Sequence, residues 1–382
     1  MKKGIVILGC GLSGMLTALS FAKRNISTTI LEYQSIGTMN FGADTRTTAL
    51  TPASVSFLNH IDIWPKIEIF ASKMLDVYIV DNKAPEILWL KDVKNNDPLG
   101  YIISNNDLKK ILLEEVKQNI LIEIIDQFDY QKVESQNDQT IIYDQHDKII
   151  QSDLLVVCDG VNSKVRSYYF SNKIEKIYNQ TALTFNIRHN KSHENCAVEH
   201  FMPLGPFAVL PLKNPHYSSV IWTVSAQQAP LLLHLDQDEI VYLVNKNCGN
   251  SLGMIELDSK ISAFPLKARI SNKYFYNKIV LIADSAHIIH PLAGQGLNQG
   301  IKDIDTLTQL ILVSGISEKT LTQYQTLRKE DNFIMYMITE NLNNIFSNHS
   351  QILWYLRRLG FGTIDKVQFI KNSILQYAVG AR

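Results

Sequence analysis

Three short runs in the 382-residue sequence hold residue types whose spacing could do chemistry. The first is Gly9-x-Gly11-x-x-Gly14, followed by Glu32 eighteen residues beyond Gly14. Glycines at that spacing permit a tight turn and let a pyrophosphate approach the backbone at a helix N-terminus, where the dipole favours negative charge. Glu32 would accept from ribose hydroxyls, so the run predicts a dinucleotide site. The second run places Asp159-Gly160 after Val156-Val157-Cys158 and continues to Ser163 and Arg166. The third runs from Ala283-Asp284 through His287, His290 and Pro291 to Gly294, Gly296, Leu297 and Asn298. His287 and His290 are three residues apart, but no carboxylate or cysteine follows at ligand spacing, so no metal site is expected. Asp159 and Asp284 form neither a Ser-His-Asp set nor a carboxylate pair, which leaves hydrolysis without visible machinery.

Such runs act together only if strands and helices bring them to one place. Residues 4–8, Gly-Ile-Val-Ile-Leu, read as a buried parallel strand. Leu12, Met15, Leu16, Leu19 and Ala22 then recur at helical spacing, and Thr28–Leu31 makes a second strand, giving a strand-helix-strand unit around the glycines. Further helices are expected near Ser54–Trp64, over 107–117, from about Gly296 and from 320 onward. Strands are expected at Val77–Val80, Ile87–Leu90, Leu154–Val157 and Lys278–Ile282. Between about 180 and 267, alternation in Leu183–Ile187, Phe207–Leu212 and Val220–Val224 predicts a mixed, mostly antiparallel sheet. No repeat of 20–50 residues is visible, which excludes a solenoid.

Composition narrows the class. Hydrophobic residues at 46% and charged residues at 19% describe a globular chain, and its length suits two or three domains. Thirty-seven Lys and Arg balance thirty-seven Asp and Glu, so nucleic acid is not an expected partner. Cys10, Cys158, Cys196 and Cys248 are far apart and contain no Cys-x-x-Cys pair, as expected of thiols in a reducing compartment. The uncharged stretch Gly4–Ala22 imitates a signal peptide or a membrane span, but three glycines interrupt it. A cytoplasmic location is expected, with peripheral contact at the inner face of a membrane as a further expectation.

Taken together, the second and third runs resemble the class A flavoprotein aromatic hydroxylases, and the likeness sharpens towards the ubiquinone-biosynthesis hydroxylases. It is carried by Asp44-x-Arg46-x-x-Ala49-Leu50, Leu99-Gly-Tyr-Ile-Ile103, Gly205-Pro-x-Ala-x-Leu-Pro-Leu212, Phe264-Pro-Leu266 and His290-Pro-Leu-Ala-Gly-Gln-Gly-Leu-Asn298. These motifs are spread over nearly the whole chain. The resemblance implies an α/β protein. Its Rossmann-like, glutathione-reductase-type FAD-binding domain would comprise residues 1–70, 99–178 and 268–330. A mixed β-sheet substrate domain would be interleaved at 71–98 and 179–267, with C-terminal helices over 331–382.

The resemblance also implies FAD as cofactor, NADPH or NADH as transient reductant and O2 as co-substrate. A flavin C4a-hydroperoxide would then hydroxylate a polyprenylated phenol. Asp284 would hold a ribityl hydroxyl, and Arg46 would reach the FAD phosphates. Asn105 would add a polar contact, and Asp159 would sit near the pyrophosphate. The backbone of Gly294, Gly296, Leu297 and Asn298 would face the flavin pyrimidine edge, and Pro291 would wall the ring beside Gly296. One departure stands out: relatives carry Gly-Asp where this chain has Ala283-Asp284, and the extra methyl is expected to cause a small shift.

Tyr217, Trp222 and His200 are candidates for the substrate face, although each is better suited to core packing than to catalysis. Residues 347–382 carry five Lys or Arg against one Asp, with Ile364, Val367, Ile370, Ile374 and Tyr377 at helical spacing. That pattern suits a basic amphipathic helix on a membrane or a partner, including other ubiquinone-pathway proteins. Two other functions fit the motifs, a flavin monooxygenase of another small aromatic and a non-catalytic flavin-fold protein binding a prenylated partner. A halogenase does not fit, because Trp222 lacks a second tryptophan two positions away.

Overall fold

The computed structural model describes residues 2–38, 44–81, 87–91, 97–136, 138–146, 148–170, 173–249, 251–291 and 294–346. The expected basic helix of 347–382 lies outside them, as do Leu292 and Ala293.

The chain opens with β1 (Lys2–Leu8), α1 (Leu12–Ala22) and β2 (Thr28–Leu31), then β3 (Thr47–Leu50), α2 (Pro52–His60) and α3 (Trp64–Glu68). Next come β4 (Ser72–Met74), β5 (Asp76–Asp81), β6 (Ile87–Lys91), β7 (Gly100–Ser104) and α4 (Asn105–Gln118). A stretch rich in strands follows with β8 (Ile122–Ile125), β9 (Tyr130–Gln136), β10 (Gln139–Asp144) and β11 (Ile149–Val157), closed by α5 (Lys164–Tyr169). The central region holds β12 (Lys173–His189), β13 (Cys196–Met202), β14 (Gly205–Pro211) and β15 (Tyr217–Ser225). It continues with α6 (Gln228–Leu233), α7 (Gln237–Cys248), β16 (Ile255–Leu257) and β17 (Ser262–Ser271). Last are β18 (Phe275–Tyr276), β19 (Ile279–Leu281), β20 (His287–Ile288), α8 (Gln295–Ser314) and α9 (Glu318–Phe346).

Two large sheets organise these elements. In the first, parallel strands lie in the order β19-β11-β1-β2-β8. Leu154–Val157 and Ile5–Leu8 are buried on both faces, so they read as continuous apolar runs. From β1 the chain steps to β2 and β8 on one side, while β11 and β19 lie on the other. The strand order therefore reverses between β1 and β11, and a crevice opens there at the carboxyl ends of the strands.

The second sheet runs β20-β17-β12-β15-β14-β13-β5-β6. Its two faces are distinguished by alternation. Leu183, Phe185, Ile187, Phe207, Val209, Val220, Trp222 and Val224 pack into one core with Ile240 and Val244 of α7. The other face turns to the small sheet of β3, β7 and β4, because Thr184 Oγ1 lies 2.7 Å from Thr45 Oγ1 and Thr47 Oγ1 donates to Ser219 Oγ at 3.3 Å. Strands β12 and β17 run through the domain boundaries expected at 178/179 and 267/268.

One expectation needs correction. The 180–267 region, read as strands alone, contains α6 and α7. α7 is a locally encoded helix: the Asp236 side chain accepts from Glu239 N at 2.8 Å, Glu239 Oε2 accepts from Asp236 N, and Gly249 ends it in a left-handed conformation. Asp236→Ala is expected to cost about 1 kcal/mol in urea unfolding, with the visible spectrum of the protein unchanged.

Candidate active site

The glycine run forms the turn between β1 and α1. Gly9 has φ +102°, and a Cβ there would lie 2.7 Å from the Cys158 carbonyl oxygen. A Cβ on Gly14 would come within 1.9 Å of the Gly9 carbonyl oxygen, so the turn closes only with glycine at both positions. Gly11 is different, with open space where its side chain would be. It also occupies the N-cap of α1 without any side-chain cap. A phosphate can approach this uncapped end closely.

Glu32 directly follows β2 and is buried, and its Oε2 accepts from Cys10 N at 2.7 Å and its Oε1 from Gln34 N at 3.0 Å. A carboxylate has about four acceptor sites, which leaves room for a ribose diol beside these two bonds. Asp159 lies just beyond β11, and its Oδ2 accepts from the Tyr130 hydroxyl at 2.7 Å. Burial raises its pKa, opposed by the hydrogen bonds of Ser163 and Tyr130.

Asp284 follows β19 in a single 3₁₀ turn, Ala283–Ser285. Its side chain keeps accessible surface although the fold encloses it, as a group lining a crevice does. Enclosure raises its pKa, and His287, Arg46 and Arg166 oppose that shift. Arg46 therefore reaches the same end of the crevice as Asp284 and Arg166. Asp44 grips the Arg46 guanidinium with two bonds of 2.8 Å, and Lys109 reaches Asp44 Oδ2 at 3.0 Å. Burial works against the Asp44 charge, but Arg46 and Lys109 outweigh it and hold the carboxyl well below the usual range. The guanidinium also lies 5.0 Å over the Phe264 ring, tying it to the second sheet.

Asn105 is buried, its Oδ1 accepting from Thr48 Oγ1 at 2.6 Å and its N–H donating to the Arg46 carbonyl. It supports Arg46 from below. Gly294 caps α8 at φ +62°, where a Cβ would meet the Ala49 methyl at 3.2 Å, and Gly296 borders open space. Leu297 packs on the first core. The Asn298 side chain is fully engaged, accepting from Thr51 N and Ser54 Oγ and donating to the Ala49 and Gly294 carbonyls. Its amide therefore locks α8 to β3 and α2, leaving the helix backbone to face the crevice. Pro291 is exposed just before this helix. α1 and α8 pack together, so two helices with glycine N-caps and no side-chain cap begin near one another.

The Ala283 methyl packs beside Gly300, where a Cβ would lie only 2.8 Å from it. Ala283 adopts φ +50°, the left-handed conformation that favours glycine. What holds it there is a residue absent from the motifs read in the sequence. Asp303, fully buried on α8, accepts from Ala283 N at 2.9 Å and His287 Nε2 at 2.6 Å through Oδ2. Its Oδ1 accepts from Arg328 Nε at 2.7 Å and Asn332 Nδ2 at 3.1 Å. Burial works against this charge, but His287 and Arg328 overcome it and keep the carboxyl well below its usual range. An Asp among Ile301, Ile304 and Leu307 on the apolar stripe of a helix was the available signal.

His290 takes a separate path. It is buried, with Nε2 3.4 Å from Gln180 Oε1, and its Nδ1 has no partner among the described residues. Trp222 belongs to the α7-side core, and His200 Nδ1 bonds the Asn247 carbonyl of α7, so neither faces the first sheet. Tyr217 shares the strand face of Ser219 but lies at the far end, paired with Arg188.

A glycine turn, an acidic residue after a strand and two uncapped helices at a topological switch point define a dinucleotide-binding fold. The chain belongs to the FAD binding domain family, whose model matches residues 2–331, and it is an FAD-dependent monooxygenase. Over 98% of its length it is 28% identical to the ubiquinone hydroxylase UbiL of Rhodospirillum rubrum, covering 89% of that protein. It is 25% identical to 3-demethoxyubiquinol 3-hydroxylase of Escherichia coli, with 98% of each chain covered. Among solved structures, p-nitrophenol 4-monooxygenase PnpA of Pseudomonas putida shares the fold, with a TM-score of 0.80, 17% identity and coverage of 99% of this chain and 98% of that one.

Two outcomes follow from the buried charges. Asp303→Ala leaves Arg328 without its buried partner and is expected to cost about 3–5 kcal/mol in chemical denaturation. Burial pushes the His290 pKa down to about 4, so between its ordinary 6.5 and 4 the unfolded chain takes up a proton that the folded chain refuses. Stability is therefore lost as pH falls through that window, by up to about 3 kcal/mol from this group. Denaturation curves recorded across the window check this, and His290→Asn should flatten the slope.

Proposed function

We propose that this enzyme hydroxylates the aromatic ring of a polyprenylated phenol in ubiquinone biosynthesis, using NADPH or NADH and O2. The observation that carries the reading is the crevice, where Gly11, Glu32, Arg46, Asp159 and Asp284 converge beside the second sheet. The printed activities of the relatives, a ubiquinone hydroxylase and a demethoxyubiquinol hydroxylase, support the substrate class. Bound FAD would pass electrons from NAD(P)H to O2 so that one oxygen atom enters the ring and the other leaves as water.

The chain's own residues bind and orient. Gly9, Gly11 and Gly14 admit the pyrophosphate to the α1 N-terminus, and Glu32 accepts from the ribose. Arg46, pre-set by Asp44, neutralises phosphate charge. Asp284 accepts from a ribityl hydroxyl and Asp159 lies toward the pyrophosphate. The first N–H groups of α8, from Gly294 through Gly296 and Leu297 to Asn298, face the flavin pyrimidine edge and favour negative charge there. Pro291 presents a wall without an N–H donor beside the ring.

Val77, Ile79, Met74, Leu90 and Leu99 form an apolar cluster at the other end of the second sheet, suited to a hydrocarbon tail. No helix among the described residues is long and apolar enough to cross a membrane. The basic 347–382 segment supports peripheral contact with an anionic membrane surface, where such a tail would reside, and with other proteins of the pathway.

Incubating the purified protein with NADPH, O2 and a prenylated phenol should give a product heavier by one oxygen atom. NADPH consumption without any ring product, for several prenylated phenols, would contradict the reading. Asp284→Ala is expected to weaken FAD binding about tenfold or more, read by fluorescence titration of the apoprotein.

A further inference from the structure

Glu199 lies in the middle of β13, paired with Ala208 of β14 and Ile79 of β5. Alternation places it opposite His200, which bonds α7, and in one row with Ala208, Ile221 and Thr184 across four adjacent strands. Thr184 touches Thr45, the neighbour of Arg46, so this row lies on the face of the sheet that meets the Arg46 segment. Three strand spacings separate Glu199 from Thr184, about 14 Å. The row between them is Ala208 and Ile221.

The carboxyl has no hydrogen-bond or ion-pair partner among the described residues, although the fold surrounds it. It keeps some accessible surface, as a side chain lining an internal space does and as Asp284 does in the crevice. On its far side lies the apolar cluster of Val77, Ile79 and Leu90. A single carboxylate set in an apolar wall matches a ligand with one polar group on a ring and a hydrocarbon tail.

We infer that Glu199 is a catalytic residue that accepts the ring hydroxyl of the substrate and takes its proton during hydroxylation. This rests on the phenol reading above and adds the group that recognises the phenol. The phenol O–H bond breaks, its electron pair stays on the ring oxygen, and the proton goes to a Glu199 carboxylate oxygen. The ring carbons thereby gain electron density for attack on the activated oxygen. When the product becomes aromatic, the hydroxylated carbon loses its hydrogen as a proton to the second oxygen atom, which leaves as water. The Glu199 proton returns to the ring oxygen, so the residue ends as it began. Burial pushes its pKa up to about 7, suited to exchanging a proton at neutral pH.

The test compares the FAD-loaded enzyme with Glu199→Leu and Glu199→Gln, using a prenylated phenol and its methyl ether. Binding is read from the perturbation of the flavin spectrum, and turnover from the hydroxylated product and released H2O2. The wild type should bind the phenol about tenfold or more tightly than the ether. Glu199→Leu should bring the two within about twofold while retaining FAD. Glu199→Gln, isosteric and still able to accept a hydrogen bond, should bind the phenol yet form product about 100-fold more slowly, releasing H2O2 instead.

Retained discrimination in Glu199→Leu, or wild-type product formation in Glu199→Gln, would overturn the inference and leave the phenol reading standing. If Glu199→Leu loses FAD, the Glu199→Gln result decides. Wild-type enzyme that binds neither compound would overturn both.

Discussion

A single buried carboxylate ties the catalytic end of the molecule together. Asp303 receives hydrogen bonds from the Ala283 backbone, His287, Arg328 and Asn332, and it sits on α8 between the β19 turn and α9. Burying that charge is unfavourable unless every partner is in place, so the three elements must assemble together. The Ala283–Asp284 turn is held left-handed, α8 is fixed in azimuth, and α9 is docked through Arg328, which also reaches Gln299. Asp284 and the start of α8 therefore face the crevice in a set relation to each other.

The crevice itself is a consequence of strand order. Gly9, Glu32, Asp159 and Asp284 come from four separate stretches of chain, yet each follows the carboxyl end of one parallel strand. The reversal between β1 and β11 leaves space where those four ends meet. The second sheet closes over this space through Thr45, Thr47 and Arg46, which bond or stack on Thr184, Ser219 and Phe264. Its alternation then sorts side chains, sending Trp222 and His200 to the α7 core and Glu199 and Ile221 to the opposite face.

Much of this was legible because it is local. The glycine spacing, the Asp that follows each buried strand and the Gly294–Asn298 helix start are short-range patterns with a backbone reason behind each residue type. The parts that escaped depend on partners far away in the chain. Asp303 looks like any helical acid until Arg328 and His287 are placed beside it. Asn298 spends its amide on Ala49, Thr51, Ser54 and Gly294 rather than on the crevice. α6 and α7 were masked by the alternating strands around them, although the Asp236–Glu239 cap was readable. Ala283, marked as a departure, shows its meaning only against Gly300, which makes room for the methyl on α8.

The central claim is that this crevice holds one FAD per chain. The most direct measurement is the visible spectrum of the purified protein, followed by release and quantification of the bound flavin after denaturation. The account predicts flavin bands near ~370 and ~450 nm and one equivalent of FAD. A colourless protein that takes up no FAD when it is added back would contradict it.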